Sequence, residues 1–326
     1  MALRLSILVV SRSAERLSAM LESLSVAIAL ATEEVEILCS WNGSDANADL
    51  IENRSGYEFL IAQQKPYHFA SNMNQLATQA NGDVLALIND DVVLDAGSLD
   101  SGLNCLITHG PSSLIGALLR TPDGRLQHMG FCFDINHNPY HILEGTLDAS
   151  EATSDGIAFE VPAVTAAVVL MQRDTFLKLR FNETYQRCGE DVELNLDLRQ
   201  SLLGQVLLCP EMSGIHAESS TRQELGESGS TSQDLVQMRA RRRLFLEQAS
   251  STQLLVELRM ANRERMLNNR AIQRQLQEID QQRQTLELDS QLSRLQKDRD
   301  HWRRQAQVLQ LEALRLQDSV QRQQGV

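Results

Sequence analysis

The sequence predicts an α/β domain built on a mostly parallel sheet and followed by a long C-terminal helix. Three observations predict it. Short apolar runs alternate with helical patterns up to about residue 235, and strand–helix repeats imply right-handed crossovers with parallel pairing. Polar turns close the apolar runs. From residue 230 to 324 there is no glycine or proline, and Gln, Arg, Leu and Glu dominate, as in an uninterrupted helix.

Taken in order, LSILVV (5–10) is a short apolar strand, and Leu17, Met20, Leu21 and Leu24 repeat at helical spacing behind it. VEILCS (35–40) is the next strand and ends in the turn Asn42-Gly43-Ser44. Residues 67–83 predict a helix that stops at Asn81-Gly82. Leu85, Ala86, Leu87 and Ile88 then form a strand that runs into Asn89, Asp90 and Asp91. Adjacent carboxylates repel, and burying an unpaired charge is costly. A positive group, first of all a divalent metal, is expected at that strand end. Ligands of open α/β sheets bind beyond the carboxyl ends of the strands, so both polar turns are expected to face one crevice.

The last region has its own pattern. Leu295, Arg299, Trp302, Ala306, Leu309, Ala313, Leu316 and Val320 follow a 4–3 heptad, and Ile272, Leu276, Ile279 and Leu286 repeat it in another phase. A helix of residues 250–326 would be roughly 110 Å long. One so polar buries nothing by itself, so pairing with a second copy is expected, the alternative being a frayed helix. The division is residues 1–245 as the α/β domain and 246–326 as a helical coiled-coil region.

Bulk properties narrow the function. The chain of 326 residues carries a net charge of −13, made of −16 in residues 1–250 and +3 in 251–326. An acidic main body is unlike a nucleic-acid binder, which needs a basic face for phosphates. Cysteines 39, 105, 132, 188 and 209 are scattered and odd in number, which suits free thiols in a reducing compartment. No apolar run reaches the ~20 residues of a membrane helix, and no signal peptide is read at the start. The expected location is cytoplasmic, with the basic run RARRR (239–243) as a possible contact to anionic lipid at the inner membrane face. A solvated helix face is the alternative.

Several stretches together resemble the family 2 glycosyltransferases of GT-A fold, closest to their rhamnosyltransferase-like branch. They are LSILVVSRSAERLSAMLESL, VEILCSWNGSD, GDVLALINDDVVL, LLRTPDGRLQHMGFCFD, VPAVTAAVVLMQRDTF, CGEDVELNLDLR and GIHAESSTR, in the family's order. The resemblance implies an inverting, metal-dependent transfer of a sugar from a nucleotide-diphosphate donor to a glycan or lipid-linked acceptor in cell-surface polysaccharide synthesis. By the same resemblance Asp191 is the general base and Asp91 holds Mg²⁺ or Mn²⁺, with His216 as a second ligand or as a donor to a phosphate oxygen. Ser11, Trp41, Asn42, Asn89 and Asp90 would bind the donor, with Trp41 stacking on the base where the family has an aspartate. Glu190 and Thr165 would bind the acceptor. Arg222, behind Ser219 and Ser220, is a candidate phosphate clamp, with a plain surface arginine as the alternative. Departures are Asn89 at the first metal-motif position, Ala166 for a glycine and Asp197 for an arginine. The rival readings are a non-catalytic sugar-nucleotide-binding or coiled-coil scaffold protein, and a nucleotidyltransferase. The latter would carry a glycine-rich phosphate loop, which SRSAERL (11–17) is not.

Overall fold

Strand β1 (Leu5–Ser11) is buried along its whole length, as expected of an apolar strand covered on both faces. The computed structural model describes residues 4–153, 156–217 and 232–324, with residues 232 and 312–324 as backbone only. It has two units, Met1–Asn268 and Asn269–Val326. Helix α1 (Ala14–Ala27) is capped by Ser13 and buries Leu17, Met20, Leu21 and Leu24, the stripe read from the sequence. The crossovers continue through β2 (Val35–Trp41), α2 (Asp45–Ala48), β3 (Glu58–Gln64), α3 (Phe69–Gln79) and β4 (Val84–Ile88). These strands form the parallel half of the sheet, in the order β3-β2-β1-β4.

The other half is mixed. It is assembled from β5 (Val92–Leu94), α4 (Ser98–His109), β6 (Ser113–Arg120), β7 (Leu126–His128), the separate hairpin β8 (Phe131–Phe133) and β9 (Pro139–His141), α5 (Ala149–Ala152), β10 (Phe159–Glu160), β11 (Val168–Gln172), α6 (Arg173–Leu179), α7 (Glu190–Ser201) and β12 (Gln205–His216). Strand β11 lies antiparallel between β4 and β6, and β12 runs parallel to β6. Between Cys209 and Ser213 the long β12 shifts register against β6, and its end pairs with β5. Such a bulge bends a strand and increases its twist; here it carries His216 to the end of the parallel half.

Helix α8 (Ser232–Gln248) lays Met238 and Phe245 against Val192 and Leu196 of α7. Helix α9 (Ser251–Gln324) buries Val256, Met260 and Leu267 in its first turns. The packed unit therefore extends past residue 245 to Asn268. Glu257 joins two buried arginines there, at 2.8 Å from Arg199 Nη1 and 2.8 Å from Arg242 Nη2. The basic run is thereby explained differently from the lipid contact. Arg239 donates to Asn138 Oδ1 at 2.7 Å, Arg241 to Asp197 Oδ1 at 3.0 Å, and Arg242 lies over the Phe133 ring. Asp197, unusual for the resembled family, thus has Arg241 as its partner. No helix among the described residues is long and apolar enough to cross a membrane. No disulfide joins any of the five cysteines, four of which are buried.

Within the second unit the heptad side chains up to Leu309 are exposed, with Trp302 at 66% and Leu309 at 64%.

Candidate active site

Strands β1, β2 and β4 point the same way, and a crevice opens beyond the ends of β1 and β4. Its lining takes Ser11 from β1, Asn89, Asp90 and Asp91 from beyond β4, and Thr165 from the turn before β11. Glu190 and Asp191 come from the start of α7 and His216 from the end of β12. Eight of the ten nominated residues that the structure describes are therefore together. Antiparallel β11 explains the fifth of them: it starts where β4 ends, so Asn89 N–H meets the Ala167 carbonyl at 2.8 Å.

Trp41 and Asn42 are the exceptions. Trp41 is 1% exposed, donates its indole N–H to the Ser44 carbonyl at 3.1 Å, and belongs to the core. It has no ring face free to stack on a base. A Cβ at Gly43 would lie 2.5 Å from that ring, so the turn closes tightly over it. Asn42 spends its amide on the Lys65 carbonyl, joining the ends of β2 and β3. Aromatic surface in the crevice comes instead from Tyr67 and Phe69. Ser219, Ser220 and Arg222 lie outside the described residues.

The three polar residues after β4 differ in setting. Asp90 turns inward and accepts Ser11 Oγ–H at 2.6 Å. Burial pushes its carboxyl up to about 6, helped by the Asp91 charge and opposed by Ser11, Arg16 and Arg12. Burial acts on Asp91 too, but His216 and Arg16 outweigh it and hold that carboxyl below the ordinary range. Asp91 Oδ1 faces His216 Nε2 at 3.2 Å, yet no hydrogen bond satisfies this buried oxygen. The other ring nitrogen of His216 lies 2.9 Å from Gln127 Oε1.

This donor set fits a divalent metal. A buried carboxylate oxygen without a donor and an imidazole nitrogen sit about as far apart as two ligands on one ion with bonds near 2.1 Å. Among the described residues no three His, Cys, Asp or Glu converge on one point. Mg²⁺ bound with phosphates uses one or two protein carboxylates and leaves other positions to substrate and water, so two protein ligands suffice.

Asp191 is positioned by the start of α7. Gly189 precedes it at φ +115°, and a Cβ there would lie 2.6 Å from the Tyr185 ring. The helix can start this close to Tyr185 only on glycine. Asp191 accepts Val192 N–H at 2.7 Å and Ala166 N–H at 3.3 Å. Buried Asn195 clamps the same turn, donating to the Val164 carbonyl at 3.0 Å and accepting Val164 N–H at 3.2 Å.

Sequence reasoning missed Arg12, Tyr67, Phe69, Gln127, His128 and His141 in the lining. Gln127 and His128 lay inside a stretch quoted for its resemblance. His141 had no local signal, because the β8–β9 hairpin folds it back. Thr165 N–H meets His128 Nε2 at 3.1 Å, and His128 Nδ1 lies 2.8 Å from His141 Nδ1. Nε2 must therefore be the bare nitrogen of His128. Burial first of all holds this imidazole well below its ordinary range and neutral.

The fold is that expected, a GT-A-like α/β domain with a long C-terminal helix. No protein-family model matches the chain. The O-antigen biosynthesis protein RfbC of Myxococcus xanthus is 31% identical over 170 residues, 48% of this chain and 12% of that protein. The uncharacterized protein y4gI of Sinorhizobium fredii is 27% identical over 169 residues, 50% of this chain and 18% of that one. The chain thus spans less than a fifth of the length of either curated relative. Among solved structures, S. aureus TarS 1–349 in complex with UDP-GlcNAc superposes with a TM-score of 0.55 at 13% identity. That match covers 80% of this chain and 72% of the TarS chain.

Proposed function

We propose that the chain transfers a sugar from a nucleotide-diphosphate donor to a hydroxyl of a glycan or lipid-linked acceptor, with inversion at the anomeric carbon. Convergence is the observation that carries this reading: eight residues from five separated stretches meet in one crevice. The UDP-GlcNAc in the TarS complex and the O-antigen role in the name of RfbC support a nucleotide-sugar donor and a polysaccharide product.

Asp91 and His216 would hold Mg²⁺ or Mn²⁺, whose charge stabilises the departing diphosphate. Asn89 borders the donor, and Ser11 keeps Asp90 turned inward behind it. Asp191, held by two backbone N–H groups, takes the proton of the acceptor hydroxyl as its oxygen bonds to the anomeric carbon. In the same displacement the bond from that carbon to the diphosphate oxygen breaks, so no sugar–enzyme bond forms. Glu190 and Thr165 flank the acceptor. The second unit pairs with another copy through its exposed heptad side chains. Light scattering should then give a multiple of the monomer mass, reduced to one in Leu309→Lys.

A thermal-shift panel of UDP, GDP, dTDP and CMP, with and without Mn²⁺, tests the site. One diphosphate should stabilise the protein only with Mn²⁺, and Asp91→Ala should lose the effect. Asp191→Asn should keep it while sugar transfer falls about 10²–10⁴-fold. No shift with any nucleotide would overturn the reading and leave a scaffold role.

A further inference from the structure

Gln127 has no place in the chemistry above, yet it is 1% exposed and reaches into the crevice beside His216. Its position is built by an irregularity. Leu119 pairs with His128, but Arg120 pairs with Leu126, which leaves Gln127 as the extra residue of a bulge. Successive strand residues point to opposite faces. A bulge re-aims one of them, and here Gln127 and His128 both line the crevice.

The amide contacts His216 on the side away from Asp91. An amide oxygen only accepts, so Gln127 Oε1 at 2.9 Å calls for a proton on His216 Nδ1. An imidazole that binds a metal is neutral and has one N–H, so with that proton on Nδ1 it is Nε2, the atom 3.2 Å from Asp91 Oδ1, that offers the lone pair. In that form two electron-pair donors face each other, and the buried Asp91 oxygen has no hydrogen-bond donor. Without Gln127 the ring would place its proton on Nε2, toward Asp91, and offer no lone pair there. Gln127 Nε2 is itself buried without a hydrogen-bond partner. Of the two amide atoms, only the oxygen makes a hydrogen bond.

We propose that Gln127 is the positioning residue that fixes His216 as the Nδ1–H tautomer and so makes Nε2 a metal ligand beside Asp91. This rests on the metal site of the proposed function. A hydrogen-bonded partner behind a ligating histidine sets its tautomer and orientation, and losing one weakens metal binding about 10- to 100-fold.

The test is a Mn²⁺ titration followed by electron paramagnetic resonance, with Mn²⁺ alone and with UDP, GDP or dTDP, on wild type, Gln127→Leu and Gln127→Glu. Gln127→Leu keeps the bulk and removes the acceptor; its affinity should fall about 10- to 100-fold. Gln127→Glu retains an obligate acceptor and should bind at least as tightly as wild type. In Mg²⁺-saturated wild type, ¹⁵N shifts should place the His216 proton on Nδ1. Equal affinity in wild type and Gln127→Leu, equal loss in both variants, or a proton on Nε2 would each overturn the role of Gln127 and leave the metal site standing. Absence of Mn²⁺ binding by wild type under every condition would overturn both.

Discussion

Two buried charged clusters in this molecule differ in how they are completed. Where α7, α8 and the first turns of α9 meet, Glu257 bonds both Arg199 and Arg242, and Arg199 also donates to the Pro162 and Gln253 carbonyls. The Phe245 ring sits 4.7 Å from the Arg199 guanidinium. At the end of β4, by contrast, Asp91 Oδ1 and Gln127 Nε2 are buried with no hydrogen-bond partner. Buried polar atoms are nearly always satisfied. Arg242 Nε is left over in the first cluster too, but each charge there has an opposite charge at 2.8 Å. A cluster that pairs its charges among its own residues holds the fold together, and one that leaves a carboxylate oxygen bare is shaped for something that arrives later.

The largest effect should come from breaking the completed cluster. Glu257→Ala leaves two arginines buried without their carboxylate, which costs about 3–5 kcal/mol. Urea unfolding should show that loss, with or without Mn²⁺. A change below ~1 kcal/mol would remove the distinction between the two clusters, since exposed pairs already reach that value.

A smaller effect should come from His128, beside the incomplete cluster. Its folded pKa lies below the unfolded value near 6.5. The unfolded chain therefore binds more protons as pH falls below 6.5, and stability present above that pH is lost downward. Between pH 7.5 and 5.5 this amounts to at most about 1.4 kcal/mol. Wild type should lose up to that much more than His128→Gln over the interval in chemical denaturation; equal pH dependence would show that His128 is not held neutral.

The smallest effect should be on the stability of Gln127→Leu. One hydrogen bond to His216 is lost, and one orphaned buried amide nitrogen is removed. The two offset to within about 1 kcal/mol. A larger loss, seen as a lowered melting temperature without metal, would make Gln127 a structural member and bring the two clusters closer in kind.

Much of the frame was legible in the sequence. Apolar runs at 5–10, 35–40 and 85–88 are strands β1, β2 and β4, the stripe Leu17 to Leu24 is the buried face of α1, and a helix fills most of 67–83. Such elements carry their own periodicity, which tertiary contacts here reinforce. Asn89, Asp90 and Asp91 stood out because charge ending an apolar strand is anomalous in one dimension as in three. Trp41 misled because its type suggests stacking while its burial is set by neighbours. The partners of Arg239 and Arg241 were hidden for a similar reason: Asn138 and Asp197 lie 101 and 44 positions away, while Glu257, the partner of Arg242, sits 15 positions on in the next helix.

By itself, then, the sequence determined the alternating strands and helices, the strand end that carries Asp91, and the glycine-free C-terminal helix, since each is encoded within a few turns of chain. Only the tertiary structure decided that His216 faces Asp91, that Gln127 stands behind it, and that Thr165 and Asp191 share one turn. Those pairings join residues dozens to more than a hundred positions apart. They depend on the antiparallel entry of β11 and on the bulges in β7 and β12, whose register emerges only when neighbouring strands pair.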